Sequence, residues 1–231
     1  MRRVWVAVVF TLFRSPCYSQ FLPDLQAKSP AEYDAYLDVL DGPVLEKGAI
    51  FERAYPQSSL RLPVYELMAR DWRSRGDREQ AIAAVERGLA IAPDYIPLLV
   101  EIADLLANGE QKLDRAEQCA RHALQLLDRV KAPLRIAPED WLAAVAKLRA
   151  RSHAALGVVL FKKDDLAGAV KEFRAALAMG PEVDAIVHYR LGRVLAVMGR
   201  LDEARRELKQ AALSTDPVLR DHAKAALAEL K

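Results

Sequence analysis

From residue 62 onward the apolar positions recur at intervals of three and four, and one order of small and large residues returns four times. Ala81, Ala116, Ala169 and Ala204 mark it, at spacings of 35, 53 and 35 residues. Four residues after each anchor stand Val85, Ala120, Phe173 and Leu208. Seven and eight after it come Gly88-Leu89, Ala123-Leu124, Ala176-Leu177 and Ala211-Ala212. Twelve before it, or thirteen in the second copy, are Ala69, Ala103, Gly157 and Gly192. Each of these follows a larger apolar residue (Met68, Ile102, Leu156, Leu191) and leads, three positions on, to Trp72, Leu106, Leu160 or Leu195.

Side chains three, four, seven and eight apart lie on one face of a helix. Each copy therefore predicts two amphipathic helices. Turn signals separate them: Gly76-Asp77, Asn108-Gly109, Lys163-Asp164-Asp165 and Met198-Gly199. A small residue at the crossing lets two helices approach, and the large neighbours fill the remaining space. One such hairpin cannot cover its own apolar face, so the units must stack. The expected boundaries are about 62–95, 96–128, 150–183 and 185–216 within the span 62–216. Pro93 and Pro181 close the first and third units.

Residues 20–61 contain an earlier, degenerate helical pair. Ser29 is suited to cap a helix that begins at Pro30. Tyr33, Tyr36, Leu37 and Leu40 share one face of it, Asp41-Gly42-Pro43 breaks it, and a second helix runs from Val44 to Tyr55. The 53-residue spacing is 35 plus an insertion of 18, placed at 129–146 with Pro133 and Pro138 in its loop. Pro138-Glu139-Asp140 combines a helix-starting proline with acids that complement the helix dipole. The helix that follows extends to Lys162, about 36 Å by helical rise, and is expected to project beyond its neighbours, with Trp141 and Leu142 on the loop or offered as a contact. Pro217 opens a last helix over 217–231, apolar at Val218, Leu219, Ala223, Ala226, Leu227 and Leu230, which reads as a solvating cap.

This pattern resembles the tetratricopeptide repeat, whose period is about 34 residues. Leu156-Gly157, Ala169, Phe173, Ala176-Leu177 and Pro181 carry the likeness most fully, followed by Leu191-Gly192, Gly199 and Ala204. The first unit departs in having Gly88 where alanine is usual; the second departs in an extra turn residue and in Asp128 in place of proline. Ala49-Ile50-Phe51-Glu52-Arg53-Ala54-Tyr55-Pro56-Gln57-Ser58 also looks like an ending common in exported bacterial members. The resemblance implies an all-α solenoid of antiparallel helix pairs wound as a right-handed superhelix, with the C-terminal helix as its cap. It also implies a concave inner wall built from the first helix of each pair.

Composition agrees with a folded protein: 52% hydrophobic residues against 29% charged exclude a disordered chain. Net charge is +2, and three arginines (Arg2, Arg3, Arg14) with no acid fall within residues 1–19, leaving −1 for the remainder. A near-neutral remainder gives no clustered basic surface for nucleic acid. The basic start is followed by the ten-residue apolar run Val4–Phe13. Such a run reaches about 15 Å, half the apolar thickness of a bilayer, so it reads as a signal peptide ending near Ser19 rather than as a stable span. The expected location is periplasmic or secreted. The alternative is membrane anchoring through an uncleaved N-terminus or a lipidated Cys17, for which Arg14-Ser15-Pro16 is a poor lead-in. After cleavage Cys119 is the single cysteine, which excludes an internal disulfide and a CxxC-type zinc site and leaves a buried small hydrophobe.

No chemical constellation emerges. His122, His153, His188 and His222 include no pair at helical metal spacing. His153 and His188, 35 residues apart, occupy the packing column held elsewhere by Tyr65 and Leu99. Glycine-rich phosphate loops, a GxSxG elbow and HExxH are absent from the sequence. Lys162-Lys163-Asp164-Asp165, Arg149-Ala150-Arg151 and Arg205-Arg206-Glu207 read as solvated helix-surface charge. The expectation is a protein without cofactor, metal or catalytic residues, and not an enzyme. It would bind a protein or peptide in the concave groove. By the resemblance the groove wall carries Glu66, Arg70, Arg73, Val100, Asp104, Arg151, Val158, Phe161, Tyr189 and Arg193. Some members of the family grip C-terminal carboxylates with lysines and asparagines at these places; Glu66, Arg70, Val100 and Asp104 do not reproduce that clamp. Arginines beside Phe161 and Tyr189 suit an extended or helical peptide of acidic character. The competing expectation is an assembly subunit of an envelope complex that uses its convex face or its long helix.

Overall fold

The computed structural model describes residues 25–109, 112–131, 137–180 and 184–230. The expected signal peptide, Pro133 and Pro181 lie outside them. The described residues form eleven helices and no strand. They are α1 Pro30–Asp41, α2 Val44–Ala54, α3 Arg61–Ser74, α4 Arg78–Ile91, α5 Ile96–Asn108 and α6 Leu113–Leu127. Then follow α7 Pro138–Lys162, α8 Leu166–Leu177, α9 Asp184–Val197, α10 Leu201–Ala211 and α11 Pro217–Glu229. Successive helices pack as hairpins, and each hairpin packs on the next: α3 with α4, α5 with α6, α7 with α8 and α9 with α10.

The four anchor alanines occupy equivalent places. Ala81, Ala116, Ala169 and Ala204 are each the fourth residue of their helix and fully buried. Each donates its N–H to the carbonyl of the residue preceding the helix, at 2.9–3.1 Å. The small residues of the first helices meet the large residues four places after the anchors. A β-carbon on Gly157 would lie 2.6 Å from two ring carbons of Phe173, and one on Gly192 would lie 2.7 Å from Cγ of Leu208. Gly88 departs from alanine for a similar reason: a β-carbon there would lie 2.2 Å from Cδ1 of Leu98 in the next helix.

The helix starts follow from side-chain caps. Ser29, Asp77, Asp165 and Asp216 each accept a hydrogen bond from an N–H of the first turn. Between the helices of a hairpin the residue five before the anchor turns left-handed: Gly76 at φ 80°, Asp164 at φ 66° and Gly199 at φ 75°. In the second hairpin Lys112, four before the anchor, takes a positive φ of 60°.

Several expectations shift. In α1 the buried centre is Glu32, Tyr36 and Val39, with Tyr33, Leu37 and Leu40 only partly covered. The 25-residue α7 packs on both α5 and α6 before pairing with α8. Trp141 is buried, whereas Leu142 is 65% exposed, so of that pair only Leu142 is offered to solvent. The expected surface charges of the turn at residues 162–165 are exposed, but several of the charged residues are also tied down by partners. Arg149 donates to Asp128 Oδ1 and to the Leu127 carbonyl at the end of α6, where a cation suits the helix dipole. Lys162 donates to the Gly109 carbonyl at 2.7 Å, and Lys163 pairs with Asp114 and Glu117. Arg205 reaches the Leu230 carbonyl at the end of α11. Stacking turns on one another uses these charges as inter-hairpin contacts.

Candidate functional site

The first helices of successive pairs, α3, α5, α7 and α9, supply a connected polar wall. On α3, Glu66 is 3% exposed and lies 3.1 Å from Arg70 one turn later. Arg73, a turn further, reaches α5: its Nη1 is 2.9 Å from Glu101 Oε1 and donates to Asp104 Oδ2 at 3.1 Å. The contact with Glu101 Oε1 is an ion pair without hydrogen-bond alignment. Glu101 is fully buried, and its other oxygen accepts from Arg151 Nη2 of α7 at 2.6 Å. Asn108 uses its amide nitrogen on the carbonyl and Oδ1 of Asp104, each at 2.8 Å. It offers its own Oδ1 to Arg190 Nη2 of α9, again at 2.8 Å. Beyond that, Arg193 donates to the Tyr189 hydroxyl at 3.1 Å and sits over its ring at 5.9 Å.

Burial decides the electrostatics at the α3 end. Removing Glu66 from water pushes its carboxyl up to about 7, against the opposing pull of Arg70 and Arg151. Burial, with Glu66 adding to it, likewise pushes the Tyr36 phenol up to about 12. The raised Glu66 value makes a stability prediction. Its folded-state value lies above the ordinary carboxylate range, so the folded chain holds the extra proton between about pH 4.5 and 7. Stability therefore falls as pH rises through that window and is level above it. Glu66→Gln fixes the neutral form, at the loss of the Arg70 ion pair. Urea unfolding at pH 8 should show the variant more stable by on the order of 1 kcal/mol, and the wild-type decline from pH 5 to pH 8 should flatten.

Of the expected wall residues, Glu66, Arg70, Arg73, Asp104 and Arg151 come together in this network. Tyr189 and Arg193 form a second contact on α9, and Phe161 stands 37% exposed on α7. Val100 and Val158 are corrections as contact residues: both lie in the apolar core, Val100 with no exposed surface and Val158 with 7%. Nearly every residue of α5 is buried because α7 packs against it as well as α6. Arg151, read also as surface charge, is instead bound to a buried acid.

Glu101 and Arg190 escaped the sequence reading. Both stand two residues before the small residue of their helix, a place held by Leu67 and Ala155 in the other hairpins. A charge at an otherwise apolar column was the available signal. His153 and His188 do share a column, but they do more than fill space: Nδ1 of each lies 2.6 Å from a glutamate on the paired helix, Glu172 and Glu207. Cys119 is buried, and that burial raises its thiol value. Among the described residues no group of three or more His, Cys, Asp or Glu is placed to hold a metal ion.

Residues 160–230 match the tetratricopeptide repeat family model. The fold is that of a tetratricopeptide-repeat protein. A chain from the crystal structure of the APC/C hetero-tetramer Cut9–Hcn1 superposes with a TM-score of 0.63 at 18% identity. That match covers 84% of this chain but 35% of the other, so this chain spans about a third of that protein's length. TTC0263, a thermophilic tetratricopeptide-repeat protein of Thermus thermophilus, superposes with a TM-score of 0.52 at 22% identity, covering 80% of this chain and 89% of that one. No curated protein sequence matches. Tetratricopeptide-repeat folds generally serve protein–protein interaction and scaffolding. Among the described residues no helix is long and apolar enough to cross a membrane.

Proposed function

We propose that this protein is a non-catalytic scaffold that holds a protein or peptide partner in the concave groove of four stacked repeat units over residues 62–216. The polar wall running through α3, α5, α7 and α9 supports this reading most. It ties charged side chains of the first helices together, with Tyr189 and Arg193 as a separate contact on α9, and such a set suits an extended segment gripped at several points. Arginine and tyrosine are also the residue types that carry most binding energy at interfaces. Arg70→Glu with Arg193→Glu reverses charge at both ends of the wall; because Arg70 also pairs with the buried Glu66, a retained fold is part of the test. The double variant should lose capture of its native partner from an envelope fraction while keeping the wild-type circular dichroism spectrum. Unchanged capture would sink the groove reading.

A second reading rests on Leu142, 65% exposed beside buried Trp141 on the long helix α7. There the protein serves as an assembly subunit of an envelope complex. Capture lost with Leu142→Asp and retained with the groove variant would favour it. The basic start and apolar run of residues 1–19 support export to the periplasm. The mature N-terminus of the native protein, read by mass spectrometry, tests this: retention of Met1–Ser19 would exclude cleavage.

A further inference from the structure

Two arginines of α9 stand apart from the others on the wall and its neighbours. Arg70, Arg73, Arg151, Arg174 and Arg200 each have a carboxylate oxygen within 3.1 Å. Arg190 and Arg193 have no described carboxylate at ion-pair distance; their hydrogen-bond partners are the neutral Asn108 Oδ1 and the Tyr189 hydroxyl. Arg193 is exposed, but Arg190 is partly buried. Burial pushes its guanidinium below the ordinary value, with Asp104 opposing from a distance. Asp104 is not available as a counter-ion. Its Oδ1 is taken by Asn108 and its Oδ2 by Arg73. A cation drawn out of water without an acid beside it is unfavourable to the folded chain. An arriving carboxylate would relieve this, and a guanidinium offers it a planar fork of donors.

Next to Asn108 is a cleft of about 230 Å³ lined by Arg73, Gly76, Arg78, Asp104, Leu105 and Asn108. Neither Arg190 nor Arg193 lines this cleft; Asn108 alone joins it to Arg190. Resting on the groove reading above, we propose that Arg190, oriented by Asn108 and seconded by Arg193, anchors acidic side chains of an extended partner segment that passes the α9 end of the wall. Charge complementarity selects that occupant. The wall carries Arg70, Arg73, Arg151, Arg190 and Arg193 against Glu66, Glu101 and Asp104, and two of these acids are buried. The cations are strung over α3, α7 and α9. They match a row of side-chain carboxylates rather than the single charge of a chain terminus.

The test uses fluorescence polarisation with the full chain and a fluorescein-labelled peptide of alternating Asp and Leu, amidated at its C-terminus. Wild-type protein should bind it, more weakly as salt is raised, and should not bind the Asn–Leu counterpart. Arg190→Met should weaken binding about tenfold or more while leaving the melting temperature unchanged or raised, because it removes a partly buried charge with no counter-ion. Arg190→Lys, which keeps the charge and loses the fork, should fall between. The proposal is overturned if the wild type does not bind the Asp–Leu peptide at millimolar protein, or if Arg190→Met binds it as well as wild type. It is also overturned if Arg190→Met lowers the melting temperature, if binding needs a free C-terminal carboxylate, or if an oligothymidylate binds more tightly than the peptide. Loss of native-partner capture in the Arg70→Glu, Arg193→Glu variant, alongside an unaffected Arg190→Met, would retain the groove and reject this anchor alone.

Discussion

Arg151→Met is expected to lower the free energy of unfolding by about 3–5 kcal/mol, measured by urea denaturation at neutral pH. Glu101 has no contact with solvent, and among the described residues Arg151 provides its hydrogen bond from a charged donor, at 2.6 Å. Arg73 stands at 2.9 Å from the other oxygen without hydrogen-bond alignment, and it is shared with Asp104. Removing Arg151 strands a desolvated carboxylate between helices that cannot part to admit water without losing core contact. The methionine keeps most of the apolar stem, so packing loss is a minor part of the effect. Glu101→Leu combined with Arg151→Met replaces both charges with apolar volume and should recover most of the loss, because a buried ion pair and a packed apolar pair are of similar stability. A double variant as unstable as the single one, or a single variant that loses less than about 1 kcal/mol, would show that Glu101 is held by something other than this pair.

Gly157→Ala should destabilise by about 1 kcal/mol net, an overpacking cost of about 2 kcal/mol outweighing the helix-propensity gain of about 1 kcal/mol that the same change brings at a position with room. The added methyl would meet three ring carbons of Phe173, at 2.6, 2.6 and 2.9 Å, and that ring is fully buried. An aromatic ring cannot yield at its near edge as the end of a flexible side chain can, so overpacking of about 1–3 kcal/mol follows. The first hairpin shows a compatible combination at the same two columns, Ala69 with Val85, both fully buried. Gly157→Ala with Phe173→Val rebuilds it. The two changes should then be less harmful together than their separate costs predict, by a coupling of about 1 kcal/mol in thermal or urea melts. Strict additivity would show that the two side chains do not meet.

The helical pairing was legible in the sequence because its determinants are local. A small residue, a large one and a turn recur at helical spacing, and the four anchors that phase them are all fourth residues of helices with no exposed surface. The polar wall was half legible. Columns along the first helices pointed to Glu66, Arg70, Arg73, Asp104 and Arg151, because those faces repeat with the hairpins. Val100 carries the same register, yet the long α7 covers that side of α5 and takes it into the core. Glu101 was invisible for the opposite reason: its burial depends on Arg151, fifty residues away, and complementarity at that distance has no period. Arg190 reaches Asn108 across 82 residues and two hairpins, a contact that exists only once the stack has curved.

The spacing of 53 residues between Ala116 and Ala169 breaks the count but not the architecture. Its surplus is taken up by a connecting segment and by the early turns of α7, all ahead of the helix crossing at Gly157. The later hairpins therefore inherit their orientation from side-chain contact across α5, α6 and α7, not from the number of residues that precede them. Sequence length and angular advance are uncoupled at this one joint. A change in the number of residues ahead of α7 would alter the length of the chain, while α7, seated on α5 and α6, kept the heading of the downstream half.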